Sequence, residues 1–361
     1  MIPAMETLET GAVGEKMDKI LPALDAGGAL LQSGLLCAWI SPRLGPHGKC
    51  RFIASPVIRR YDEPMGKKFL IVVVLVSLAS KAPADDTIYV SSAGGNFIEK
   101  LTTSGAATTF ASSGLSGPEG LAVDSNGNLF VANFNSNVIN EFDSGGTSTV
   151  FAQGGLQDRG AMARDTNGNL YISNTNQASI EKITPNGAIS VFANNLVNPY
   201  GIAVDKMGNV YVAIQENNEI LKFTPDGNPS VFYNQGPTYT PNSPLLHPSG
   251  LAFDSSGNLY VANHDADWIE EFTPDGTPSR FAVSADLDVC IGLAFDSTGN
   301  LYATNSGGVV KITPNGVVSP FWFLPGDDTT SYIAIAAPEP STLALLALGA
   351  IGSFSVRRRI R

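Results

Sequence analysis

The stretch Asp124-Ser-Asn-Gly-Asn-Leu129 recurs four more times, and its reading decides the fold. The other copies are Asp165-Thr-Asn-Gly-Asn-Leu170, Asp205-Lys-Met-Gly-Asn-Val210, Asp254-Ser-Ser-Gly-Asn-Leu259 and Asp296-Ser-Thr-Gly-Asn-Leu301. Gly supplies a positive φ and Asp or Asn bonds its own backbone, so the motif reads as a tight turn. A small apolar run precedes four of the copies (Leu121-Ala-Val, Ile202-Ala-Val, Leu251-Ala-Phe, Leu293-Ala-Phe), and an aromatic strand such as Leu129-Phe-Val-Ala or Val210-Tyr-Val-Ala follows each copy. Successive Asp residues are 41, 40, 49 and 42 positions apart. A period near 40 in strand-and-turn sequence marks propeller blades.

Each repeat continues the same way. A third strand (Ser179-Ile-Glu-Lys-Ile, Trp268-Ile-Glu-Glu-Phe) leads through Thr-Pro-Asp/Asn-Gly, at Thr184, Thr224, Thr273 and Thr313, into a fourth (Ile189-Ser-Val-Phe192). Pro presets the turn and Gly closes it. The copy starting at Asp85 has strands two to four, beginning at Ile88-Tyr-Val-Ser, but no first strand. Ile333-Ala-Ile335 falls 40 residues after Leu293-Ala-Phe295, where a first strand belongs. The expected fold is therefore an all-β, six-bladed β-propeller of four-stranded antiparallel blades, closed by a C-terminal strand that completes the N-terminal blade. Such closure removes open strand edges. The 49-residue interval places a Pro-rich insertion at Gln235 to His247, expected to loop over one face.

The flanks read differently. Residues 1–64 share nothing with the repeats and are expected to be disordered or a gene-model extension, with translation starting at Met65. Lys67-Lys68, the apolar run Phe69 to Ala79 and Ala82-Pro-Ala84 form a secretory signal peptide over 65–84. The propeller occupies 85–337. Residues 338–361 comprise Pro338-Glu339-Pro340, a short apolar segment from Ser341 to Val356, expected to be a transmembrane helix, and a basic end with Arg357, Arg358 and Arg359. Basic residues there keep the end cytoplasmic and the propeller outside that membrane.

The formal charge is −11 overall, while 85–337 holds 25 Asp/Glu against 8 Lys/Arg. That surface repels phosphate backbones, so nucleic acid is excluded as a partner. Of three cysteines, only Cys290 lies in the repeats, so no disulfide framework exists there. It reads as a small buried hydrophobe.

Two families are resembled. The tail from Pro338 resembles a PEP-CTERM sorting signal, which implies a Gram-negative bacterium, an exosortase-type partner and passage through the inner membrane. The body from Asp85 to Ala336 resembles NHL-repeat six-bladed propellers, themselves similar to gluconolactonase-like and streptogramin-lyase-like propellers. That resemblance carries architecture more firmly than activity.

An enzyme on this fold gathers its groups at one mouth of the channel. The aligned residues entering the first strands are Ser331, Glu119, Gly160, Tyr200, Ser249 and Ile291. Gluconolactonase-like calcium sites want several oxygen ligands, and this set has one carboxylate. Glu119 reads as a solvated Glu beside Pro118 and Gly120, with ligand or base as the alternative. Lyase-like propellers use histidine with an acidic partner, and the propeller offers His247 and His264, the latter beside Asp265 and Asp267. Both histidines are expected on exposed connections. The catalytic candidates are thus Glu119, His264 and Asp265. The metal candidates are Glu119, His264 and Asp267, with calcium or zinc as cofactor in the enzyme case. The Asp-x-x-Gly-Asn turns superficially resemble calcium loops but are too short and lack the distal Glu. Asn133, Asn174, Asn263 and Asn305, ending the second strands, either face sugars or satisfy backbone groups. The expected function is an exported, monomeric, non-enzymatic binding or scaffold module for an extracellular glycan or protein. A metal-dependent lactonase-like hydrolase or lyase is the alternative.

Overall fold

The computed structural model describes residues 85–154, 160–236, 240, 243–324 and 330–337, together with the backbone of four short strands between Arg43 and Val73. Two compact units are present, Met1–Lys81 and Ala82–Arg361. In the first, Arg43–Leu44 pairs with Cys50–Arg51, and Val57–Asp62 pairs antiparallel with Lys68–Val73. The start of the apolar run read as a signal peptide is thus a hairpin strand. The segment expected to be a sorting signal and transmembrane helix, Pro338 to Arg361, lies outside the described residues. Among the described residues no helix is long and apolar enough to cross a membrane.

The second unit is a ring of six four-stranded antiparallel sheets. We number the blades in chain order. Blade 1 is Thr330–Ala336, Thr87–Ser92, Phe97–Thr102 and Ala107–Ala111. Blades 2 to 6 begin with inner strands Pro118–Val123, Met162–Arg164, Pro199–Val204, Pro248–Phe253 and Leu293–Phe295. The C-terminal strand pairs with the N-terminal one, Ile333 opposite Val90 and Ile335 opposite Ile88, so the ring closes as the repeat register requires.

The turns work as their composition dictates. In blade 2, Asp124 Oδ1 accepts the amides of Asn126 and Asn128, each at 2.8 Å, and Asn128 Nδ2 donates to Oδ2 at 3.2 Å. The carboxylate is used by its own hairpin, which accounts for Asp at that position.

Second strands are buried on both faces because blades stack on either side; in four blades every residue of this strand is buried. Its aromatic residue meets the outer-strand Phe of its own blade edge to face. The six pairs, Tyr89–Phe110, Phe130–Phe151, Tyr171–Phe192, Tyr211–Phe232, Tyr260–Phe281 and Tyr302–Phe321, have ring centroids 4.8–5.1 Å apart. Together they contribute about 3–9 kcal/mol beyond area burial.

Near the channel the blades approach by backbone. A Cβ on Gly201 would stand 1.5 Å from the Ser249 carbonyl oxygen of the next blade. Hydroxyls stitch the same layer. Ser91 Oγ donates to the Glu119 carbonyl at 2.8 Å, Ser173 Oγ to that of Tyr200 at 2.5 Å, and Ser249 Oγ to that of Cys290 at 2.6 Å. Each bond crosses from one blade to the next.

Candidate histidine–carboxylate site

Inner strands start, and second strands end, on one face, here called upper. In the repeat, the residue before the inner-strand proline adopts a left-handed conformation: Gly117 (φ 63°), Asn198 (φ 52°) and, in blade 5, His247 (φ 48°). Gly takes that region freely, and Asn and His are among the side chains that enter it most readily. Hydrogen bonds hold the position. His247 N donates to Asn218 Oδ1 at 2.8 Å, as Gly117 N does to Asn96 Oδ1 at 2.7 Å. The carbonyl of the same residue accepts the amide 17 positions on: Gly117 from Phe134 (3.1 Å), Asn198 from Gln215 (3.4 Å), His247 from His264 (3.0 Å). The repeat therefore delivers residues 247 and 264 to the same spot.

In blade 5 both are histidines, and Asp265 takes both. His247 Nδ1 lies 2.5 Å from Asp265 Oδ2, and His264 Nδ1 lies 2.6 Å from Oδ1. The bond from His264, joined by that from His247 and by both rings' charge, holds the Asp265 carboxyl below the usual carboxylate range against partial burial. With each Nδ1 on a carboxylate oxygen, both rings donate from Nδ1, which leaves each Nε2 unengaged by Asp265. The three side chains are one-third to one-half exposed. A depressed folded-state pKa contributes stability that is present above the unfolded value and lost as pH falls through the folded one. Asp265→Asn should therefore lower the melting temperature at neutral pH and flatten the acid limb, so that the two profiles converge as pH falls; equal melting temperatures at neutral pH with an unchanged acid limb would refute the pairing.

The insertion builds this site. Leu245 is fully buried beneath it. Leu246 N donates to Asn263 Oδ1 (2.7 Å), Asn263 Nδ2 and Trp268 Nε1 each donate to the Pro244 carbonyl (3.2 Å), and Leu245 N donates to Gln235 Oε1 (2.9 Å). Arg280 Nη2 reaches the Ser243 carbonyl at 3.2 Å, while its Nε pairs with buried Glu270 at 2.8 Å and its guanidinium lies 4.0 Å from the Trp268 ring centroid. Burial raises the Glu270 carboxyl, with Arg280 opposing. Residues 243–247 of the insertion are thus packed against blade 5.

Other expectations fare differently. Glu119 is 5% exposed, inside the inner strand of blade 2, so reading it as solvated was wrong; the strand is covered by its neighbours on both sides. The inner strands touch in chain order, which sets blade 2 opposite blade 5. Glu119 and the histidine pair therefore do not meet. Asp267 is exposed and bears on Cys290, and Asp265 is the carboxylate the rings share. Among the described residues no group of three His, Cys, Asp or Glu is arranged to hold a metal. Asn133 and Asn263 are buried and bond the connections beside them: Asn133 Oδ1 accepts from Ser116 N, and Asn305 Nδ2 donates to the Asp286 carbonyl. Their recurrence is structural. Burial, then the charges of Asp288 and Asp267, push the Cys290 thiol up to about 12. The thiol is therefore held in its protonated, unreactive form. Iodoacetamide should leave the Cys290 peptide unmodified in the native protein and label it in urea, as read by peptide mass spectrometry; native labelling would contradict the burial.

A profile described as the Virginiamycin B lyase family matches residues 112–360. A search of the curated proteins found no match. Among solved structures, a chain from a nidogen/laminin complex is similar over 70% of this chain and 99% of its own, at 20% identity and TM-score 0.62. A streptogramin B lyase aligns over 70% of this chain and 87% of its own, at 17% identity and TM-score 0.54. A catalytically inactive virginiamycin B lyase variant from Staphylococcus aureus, with quinupristin, aligns over 70% and 93%, at 16% identity and TM-score 0.52.

Proposed function

The chain belongs to the Virginiamycin B lyase family, and from that premise we propose that it is an exported propeller working as a binding module, with the upper face of blade 5 as its contact surface. One observation carries this reading: residues 243–247 of the insertion are packed and bonded so that His247 is fixed against Asp265, partly exposed to solvent. Preorganised side chains on a rigid scaffold lower the cost of binding. The ligand class is an extracellular glycan or protein whose polar groups meet the two imidazole rings. Export through the segment at 65–84, and sorting of the Pro338–Arg361 tail at the inner membrane by an exosortase-type enzyme, belong to the same proposal and rest on the sequence.

The second reading is lyase chemistry. It is favoured by the imidazoles held through Nδ1 on a carboxylate, the arrangement by which an acid orients a general base. One experiment separates the two. The full chain is incubated with quinupristin, with and without calcium or zinc, and followed by reversed-phase chromatography; in parallel it is applied to a glycan array. Binding without turnover, lost in His247→Ala and His264→Ala, is the expected result. Turnover abolished by His264→Ala would replace the first reading with the second, and array binding indifferent to both substitutions would remove this face as the contact surface.

A further inference from the structure

The five Asp-x-x-Gly-Asn turns agree except in blade 4. Elsewhere the two middle residues are Ser or Thr followed by Asn, Ser or Thr; here they are Lys206 and Met207. The turn does not need them, since Met207 bonds Asp205 Oδ1 only through its backbone amide, as Asn126 bonds Asp124. Both residues line a groove of about 380 Å³ between blades 4 and 5, on the lower face, away from the histidines. That volume falls in the range of small-molecule sites.

The groove is mostly apolar. Tyr211 and Phe232 of blade 4 and Phe253 of blade 5 line it, with the Tyr211 ring centroid 5.1 Å from Phe232 and 4.9 Å from Phe253. Met207, 75% exposed at the rim, is a flexible side chain able to close over an apolar body. Two of the eight Lys/Arg residues of 85–337 stand in this one groove. Lys222 Nζ lies 5.2 Å from the Tyr211 centroid, and Lys206 Nζ donates to the Ser255 carbonyl at 2.5 Å, across the blade junction. Neither forms an ion pair among the described residues. The two carboxylates of the groove, Asp205 and Asp254, keep their charge but are held in their own turns and pair with neither lysine: Asp205 accepts from Met207 N, Asn209 N and Asn209 Nδ2, and Asp254 accepts from Ser256 N, Asn258 N and Asn258 Nδ2.

We propose that this groove binds a small amphipathic carboxylate, its apolar body against Tyr211, Phe232, Phe253 and Met207 and its head group on Lys222 and Lys206. A charged head on an ammonium gives the stronger class of hydrogen bond, and the aromatic walls supply the burial. The site is independent of the histidine face and of whatever binds there.

The test uses the full chain with 13C-methyl-labelled methionine, titrated with octanoate. The Met207 methyl signal, assigned through Met207→Asn, should shift saturably. Octanol, which lacks the charge, should bind about tenfold more weakly, and Lys222→Gln should weaken octanoate by a similar factor. Met207→Asn installs the residue found in the turns of blades 2 and 3, so it should keep the wild-type melting temperature while weakening octanoate severalfold by calorimetry. No saturable shift up to about 10 mM, equal affinity for octanol, or unchanged octanoate affinity in Lys222→Gln would each overturn the proposal.

Discussion

A chain ending at Thr329 is expected to lose cooperative unfolding and to aggregate, whereas one ending at Ala337 should melt like the full chain. The strand Thr330–Ala336 is the inner strand of blade 1, and its partner Thr87–Ser92 starts the propeller. Removing it uncovers one side of the Thr87–Ser92 ladder and deletes Tyr332 and Ile333, which are 5% and 6% exposed. Burial of those two side chains alone is worth about 3–6 kcal/mol. The bonds between Ser91 Oγ and the Tyr332 backbone (3.1 and 3.3 Å) go with them. A domain has only about 5–15 kcal/mol in all, so the loss takes most of the margin, and the freed edge is a template for intermolecular pairing. Calorimetry and size-exclusion chromatography of the two truncations read this directly. A cooperative, monomeric protein ending at Thr329 would show that the ring does not depend on its closing strand.

Gly201→Ala is the second large effect. The inner strands of blades 4 and 5 approach so closely that an added Cβ would lie 1.5 Å from the Ser249 carbonyl oxygen and 2.7 Å from its carbon. The neighbour is backbone, so no rotamer change relieves the contact. Two blades must part, which disturbs the bond from Ser249 Oγ to the Cys290 carbonyl on the far side of the same residue. Overpacking of this kind costs on the order of 3 kcal/mol, or about 10 °C in melting temperature for a domain of this length. Ala161 occupies the corresponding position of blade 3, where the described inner strand is shorter, so Ala is not excluded by the repeat as such. A melting temperature within about 2 °C of wild type would mean the blades are packed less tightly than described.

The turns explain why the fold was legible. Asp124 and its four counterparts each close a hairpin through the same carboxylate bonds, so a local sequence signal maps onto a local structure. Closure by Ile333 was legible too, because the repeat fixes where a missing first strand must fall. Glu119 was misread because its burial comes from neighbouring blades, which no local pattern reports. Asp265 and Asp267 could not be told apart by position in sequence alone. The pairing of His247 with His264 did have a signal, the 17-residue offset shared by Gly117 with Phe134 and Asn198 with Gln215. The Arg280–Glu270–Trp268 brace and the lower groove had none, since both depend on which strands and turns become neighbours across a blade.

The central claim is that the repeat and the insertion together fix two imidazoles on one carboxylate. Long-range 1H–15N correlation spectra of histidine-labelled protein test it most directly, with His47, the third histidine, identified by substitution. Both His247 and His264 are expected to carry a proton on Nδ1, and Asp265→Asn should shift the resonances of both rings at once. Rings that respond independently, or that ignore Asp265→Asn, would contradict the account.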